Sequence, residues 1–416
     1  MDTLLLIGTG RRQFREYLLR SIATEYQVHL LLWAEPTWER EYAHGWTVLD
    51  RVTETMDADD MIAAARALPD PVAGVLAWDE ARILQGARVA QALGLPGGDP
   101  DAIMRCRDKH LTRQALSTVG VPQPLSVLAA SLDEALAAAE KMGYPVIVKP
   151  RAMAASLGVV KVHTPAELTA QFTFARDTTV PGAWRYDSVL VEEYVDGPEI
   201  SVDCVVHRGD VYPMCLAHKQ IGYPPYCEEV GHVVHGNDPL LADPDLLAVL
   251  RWTHRALGFT DGATHTEVKL SPHGLRVIEV NGRLGGDLIP YLGLRANGID
   301  PGLAAAAVAC GRPPAVEPTH ARVGAVRFLY VERDDTTIGE VRFADAPRPD
   351  DLDLLVPLAA PGAVLSPPPK GTLGGRIAYV TAVGDTAAGC AAAIDAAVGT
   401  LRYEGLFHKG PPGRVF

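Results

Sequence analysis

Through the first hundred residues, apolar runs of strand length alternate with stretches of helical pattern. This alternation constrains the fold more than any other feature of the chain. Residues 4–10 (LLLIGTG) read as a strand, 12–24 as a helix and 28–33 (VHLLLW) as a strand. Residues 57–67 then read as a helix, 72–78 (VAGVLAW) as a strand and 81–93 as a helix. Strands separated by helices pair as parallel neighbours, so the segment predicts βαβ units on a parallel sheet and an α/β fold. Gly8-Thr9-Gly10 closes the first strand in the manner of a dinucleotide fingerprint. Gln13 stands where the third glycine belongs and no acid suited to a ribose follows, so we read a tight turn there.

The rest of the chain divides at proline and glycine clusters. Residues 94–100 (GLPGGDP) mark a boundary, and 301–318 are again small-residue-rich and proline-punctuated. Between them we expect a helix over 101–119, a break at Pro122 and Pro124, and a helix over 132–142. Strands follow at 144–150, 188–195 and 199–206. A last β-containing unit is expected from Val323 to about His408. The units expected are therefore residues 1–95, 96–187, 188–311 and 312–416. A net charge of -13 argues against nucleic acid or an anionic membrane as the main partner. No apolar run approaches the roughly 18 residues of a membrane span, and the opening MDTLLLIGTG has no basic leader region. The six cysteines (106, 204, 215, 227, 310 and 390) form no CxxC pair and no zinc spacing. Reduced structural thiols and a cytoplasmic location are the expectation.

Residues 266–286 (TEVKLSPHGLRVIEVNGRLGG) carry the densest chemistry. Two strand-like runs flank a turn signal, Ser271-Pro272-His273-Gly274. Side chains alternate along a strand, so Glu279 and Asn281 share a face, as do Glu267 and Lys269. A register placing Glu267 opposite Glu279 brings all four together, and requires an odd-length loop or a bulge. Two carboxylates and an amide oxygen suit a hard cation such as magnesium bridging to phosphates. The alternative is a hairpin face with its charges in water.

Lys149 stands near the end of an apolar β-run and precedes a loop of small residues, 152–158 (AMAASLG). It reads either as a point charge on phosphate oxygens, with loop N–H groups beside it, or as an ordinary strand-end lysine. In 190–199 (LVEEYVDGPE), Glu192 suits an adenine amino group and Glu199 suits ribose hydroxyls. Paired acids in a β-run need partners if buried; otherwise Glu192 and Glu193 are edge-strand charges. His232 and His235 lie three apart on a strand, on opposite faces, which disfavours a shared metal and leaves core histidine or single ligand as readings. Residues 288–292 (LIPYL) pack behind the site or wall a substrate pocket. Arg376 is either a solvated strand residue or a phosphate contact.

Taken in order, VIVKP, a small-residue loop, VEEYVDGPE and then the Glu267…EVN pair resemble the ATP-grasp superfamily of carboxylate–amine ligases over roughly residues 94–311. Trp78-Asp79-Glu80, Arg107-Asp108-Lys109, Glu229-Val230-Gly231-His232 and residues 279–292 (EVNGRLGGDLIPYL) are similar to the L-amino-acid ligases that make dipeptides. The resemblance implies ATP and two magnesium ions. It implies phosphate contacts from Lys109 and Lys149, and a flap over the phosphates around Ser156 and Gly158, poorer in glycine and serine than in many relatives. Glu192, its neighbour Glu193 and the backbone of Val195 would read adenine, and Glu199 the ribose. Glu267, Glu279 and Asn281 would hold magnesium. Arg283 would face the γ-phosphate and the reacting carboxylate, Gly285-Gly286 would offer N–H groups to an oxyanion, and Glu229 and His232 would lie near the first substrate's amino group. The activity implied is acyl-phosphate formation followed by amine attack, joining two small amino-acid substrates, with a homodimer as the prior for such an enzyme. Close alternatives are a non-proteinogenic acid or amine, a bicarbonate-phosphorylating carboxylase subunit, and an idle nucleotide-binding module.

Overall fold

Leu4, Leu5, Leu6 and Ile7 are all at most 1% exposed, because both faces of their strand are covered. Leu4 and Leu6 pack with Leu18, Leu19 and Ile22 of one helix; Leu5 and Ile7 pack against Met61, Ala65 and Val89 on the other side. This is what a continuous apolar run means in a parallel sheet. The computed structural model describes residues 1–49, 58–179, 184–407 and 414–415. The expected helix start at Asp57 and the expected end of the last unit at His408 lie outside the described residues. The N-terminal sheet runs Gly45–Val48, Gln27–Leu32, Thr3–Ile7, Val72–Leu76, all parallel. The helices Arg12–Ile22, Asp59–Arg66 and Ile83–Leu93 flank it.

The single helix expected over residues 101–119 is two, Pro100–Arg107 and Lys109–Thr118. Asp108 divides them: its backbone is extended (φ -99, ψ 105), and its carboxylate accepts from His110 N at 3.0 Å as the N-cap of the second helix. Arg151 clamps the same carboxylate at 2.7 Å. A side chain that offers the backbone an alternative acceptor breaks a helix at modest cost. The break makes Lys109 the first residue of a helix that opens on the cavity described below.

A four-stranded lid sheet follows, in the order Ser126–Ala129, Val189–Glu193, Val146–Pro150, Val160–Val162. The helices Leu132–Met142 and Pro165–Asp177 pack on it through Ala135, Ala139, Leu168 and Phe172. The largest sheet has eight strands: Gly274–Asn281, Gly262–Ser271, Glu199–His207, Asp210–Gly222, Glu228–His235, Val323–Tyr330, Arg376–Gly384 and Leu352–Pro357. Strands after residue 312 thus continue the sheet that carries the hairpin; Gly231 pairs with Arg327 across the join. In the hairpin, Glu267 lies opposite Glu279 and a register shift falls between Glu267 and Val268. The irregularity that this register requires is there. The α/β class follows from the parallel first sheet and its covering helices, with antiparallel sheets after it.

Candidate functional site

The lid sheet, the eight-stranded sheet and the N-terminal unit enclose a cavity of about 460 Å³. Its floor is the hairpin face bearing Glu267, Lys269, Glu279 and Asn281; its roof carries Lys149 and Glu192. Lys149 and Glu192 come from neighbouring lid strands, Ile147 pairing with Glu192 and Lys149 with Leu190. Lys149 Nζ lies 2.6 Å from Glu192. Arg113 forks onto the same carboxylate at 2.8 and 3.1 Å. Burial pushes the Glu192 carboxyl up, but Arg113 and Lys149 outweigh it and hold it at about 2. Burial pulls the Lys149 ammonium below its ordinary value, and Glu192 only partly restores it. A buried acid between two cations stays an acceptor and has lone pairs to spare. Glu193 points the other way: it is exposed and accepts from the backbone N–H of Leu125 at 3.1 Å. It still borders the cavity.

On the floor, Lys109 Nζ lies 3.0 Å from Glu279 and donates to the carbonyl of Met153 in the loop above. One end of the Asn281 amide lies 3.3 Å from Glu80 and 3.3 Å from Glu279. Oriented with its NH2 toward them, the amide donates to both; the opposite orientation would offer its oxygen to a cation. Glu267, Glu279 and Asn281 are an all-oxygen set on one sheet face, and that chemistry fits magnesium. Arg283 Nε meets Glu80 at 2.5 Å.

Several residues were not visible in the sequence. Lys219, with a side chain 2% exposed, sits at 2.6 Å from Glu199, 2.9 Å from Glu229 and 3.1 Å from Glu267. Despite burial, these three acids raise its ammonium well above the ordinary value. His265 lies 2.6 Å from the fully buried Asp203 and 3.6 Å from Glu267, and so links the two carboxylates. Neither Lys219 nor Asp203 lies in a recognisable motif. The available signal was charge bookkeeping, since three acids converging on one face demand a cation.

The structure narrows the readings of four residues. His232 does not line the cavity: it is 0% exposed, with Nε2 at 3.4 Å from Glu229 and 3.6 Å from Asp287, behind the wall rather than on it. Gly285 spends its N–H on Asp203 at 3.1 Å, so it has none to offer an oxyanion; Gly286 faces the cavity instead. Gly158 is a packing glycine at φ +75, where a Cβ would meet Pro150 Cγ at 2.7 Å, whereas Ser156 reaches the cavity from the same loop. Arg376 is not solvated: it is 4% exposed and forks onto Asp287 at 2.6 and 2.8 Å. Beside it, Tyr330 donates to Glu228 at 2.6 Å, and burial still pushes that carboxyl up to about 7.

Residues 142–290 match the ATP-grasp domain family. An uncharacterized protein of Sinorhizobium fredii, y4rH, is 28% identical over 96% of this chain and 82% of its own length. Alanine–anticapsin ligase of Bacillus subtilis is 27% identical over 48% of this chain and 47% of its own length, so the chain spans less than half of that relative. The crystal structure of an L-amino acid ligase from Bacillus licheniformis superposes with a TM-score of 0.76 at 20% identity, covering 97% of this chain and 98% of that one.

Proposed function

We propose, for an ATP-grasp chain of the carboxylate–amine ligase type that resembles the L-amino-acid ligases, that it activates the carboxylate of one amino acid with ATP and couples it to the amine of a second. The observation that carries this reading is the convergence of Lys109, Lys149, the Glu267–Glu279–Asn281 set and Arg283 on one cavity. An anion must meet an anion for a carboxylate to attack the γ-phosphate, and fixed positive charge is what lowers that barrier. Lys109 and Lys149 neutralise phosphate oxygens from floor and roof. Glu192 and the backbone of Val195 read the adenine, and Glu199 takes the ribose. Magnesium, as two ions held by Glu267, Glu279 and Asn281, supplies charge neutralisation when bound. Arg283 moves from Glu80 to the substrate carboxylate and γ-phosphate. Attack forms an acyl phosphate and ADP; the amine then forms the amide bond and phosphate leaves. Glu229 faces the first substrate's amino group, with His232 as its buried support.

Among the described residues, no helix is long and apolar enough to cross a membrane. Small-molecule substrates, a cytoplasmic setting with six free cysteines, and a homodimer belong to the same reading. The test is phosphate release from ATP and magnesium across a matrix of amino-acid pairs, with mass spectrometry of products. Release that needs two amino acids and yields their dipeptide supports the reading; release with bicarbonate alone overturns it. Replacing Arg283 by Ala should lower donor-dependent ADP release by about 1,000-fold, the scale of losing one transition-state donor. Full activity in that variant removes the assigned role.

A further inference from the structure

The cations on the cavity wall are not all alike. Lys109, Lys149, Lys269, Arg283 and Arg376 each have a carboxylate within 3.3 Å. Arg15 lines the same cavity and, among the described residues, has none. The guanidinium makes one hydrogen bond, donating from Nη1 to the carbonyl of Gly285 at 3.1 Å. Burial pulls its pKa below the ordinary arginine value, Arg283 adds to this, and Tyr17, Asp203 and Asp79 offset it only in part. A half-buried cation held beside another cation, with most of its five donors unspent by the protein, is suited to an anion. Arg11, exposed at the start of the same helix, adds a second cation at the cavity mouth.

Which anion is decided by position. In the reading above, the phosphates are served by Lys109 at the start of its helix and by Lys149 on the lid. Arg15 comes instead from the N-terminal unit, outside the segment matched to the ATP-grasp family. Its backbone partner Gly285 is two residues beyond Arg283, the arginine assigned to the reacting carboxylate. An anion on Arg15 therefore lies close to the acyl carbon without being the group activated there. The amine that attacks this carbon carries such an anion when it is an amino acid, since its carboxylate is one carbon from the amine-bearing carbon. We infer that Arg15 receives the free carboxylate of the amine-bearing substrate, so that the acceptor must be an amino acid rather than a simple amine or an amino-acid amide. This inference rests on the ligase reading above.

The test pairs glycine and L-alanine with their primary amides as acceptors, at the donor identified by the product matrix, with hydroxylamine as a small neutral amine. The amide's amino group is the less protonated at neutral pH, so a preference for the acid cannot come from amine basicity. The intact enzyme should prefer the acids by about 30-fold in kcat/KM, the scale of one charge-assisted contact. Arg15→Met should raise the acceptor KM and collapse that ratio toward one, with the KM for ATP shifting far less; Arg15→Lys should recover part of the ratio. An intact enzyme indifferent to the amide, or an Arg15→Met variant with the ratio unchanged, overturns the inference alone. No donor-dependent ADP release with hydroxylamine or any amino acid overturns the ligase reading and the inference with it.

Discussion

At the lid end of the cavity, Lys149 and Glu192 sit on strands that are direct neighbours in one sheet, and Glu267 and Glu279 face each other across one hairpin. At the far end, Arg15 comes from the first helix, Asp287 from the stretch after the hairpin and its partner Arg376 from a strand 89 residues later. The first end is assembled by strand register, which a local pattern specifies. The second is assembled by packing of whole units, which only the finished fold specifies. Charge shows the same division. The lid pairs cation with anion, the register of four consecutive strands shares Lys219 among Glu199, Glu229 and Glu267, and the far end leaves Arg15, among the described residues, with no carboxylate partner.

The largest expected effect attacks that sharing. Replacing Lys219 by Met keeps the volume but leaves Glu199, Glu229 and Glu267 facing one another around an apolar side chain. Breaking a buried ionic cluster by removing one partner costs about 3–5 kcal/mol. We therefore expect Lys219→Met to unfold at markedly lower urea, with magnesium recovering part of the loss by restoring positive charge beside Glu267. If urea unfolding of the variant matches the parent, the three acids do not depend on Lys219, and the charge sharing across those strands adds nothing to stability.

What the sequence disclosed follows the same division. The hairpin's alternation put Glu279 and Asn281 on one face, and a register with Glu267 opposite Glu279 called for an odd-length loop or a bulge; the structure has that register, with its shift after Glu267. The strands bearing Lys149 and Glu192 were legible one by one, but their pairing was not, because residues 147 and 192 meet only when the lid closes on itself. Asp108 looked like a helix-interior residue, since capping competes with helix continuation on a margin too fine for pattern reading. Lys219 lies in a strand whose residues Met214 to Ala217 are buried, and a lysine there carries no sign of three acids contributed from Glu199, Glu229 and Glu267. His232 kept its sequence neighbourhood to Glu229 yet fell behind the wall, because strand alternation fixes a face and not a depth.

A smaller effect sets the two ends against each other by pH. Glu192, held at about 2 from an ordinary 4.5, contributes stability that is present above pH 4.5 and lost as pH falls toward 2. Glu228, raised from 4.5 to about 7, does the opposite: its contribution is complete below pH 4.5 and is lost as pH rises through 7. Glu228→Gln removes the second dependence. Measured by urea unfolding, the variant should gain on the parent by about 2–3 kcal/mol between pH 4.5 and 8, the linkage scale for such a shift. A difference between variant and parent that stays flat over that range would show that Tyr330 and Arg376 already compensate the charge.

The smallest effect tests the flap, which borders the lid end. Gly158 sits at φ +75, and a methyl group there would meet Pro150 Cγ at 2.7 Å and Thr178 Cβ at 2.9 Å. Neither neighbour yields easily, Pro150 because its ring is fixed and Thr178 because it is β-branched. Backbone strain for a non-glycine residue in the left-handed region adds about 1–2 kcal/mol. Gly158→Ala should therefore destabilise the chain by about that amount plus the clash, and should raise the KM for ATP by displacing Ser156 two residues earlier. Ser156→Ala, which touches no packing, separates the two roles. If Ser156 contributes a phosphate contact, that variant raises the KM for ATP with unfolding unchanged. If neither variant alters the KM, the loop is packing alone, and the lid end reads its nucleotide through Lys149 and Glu192 without a flap.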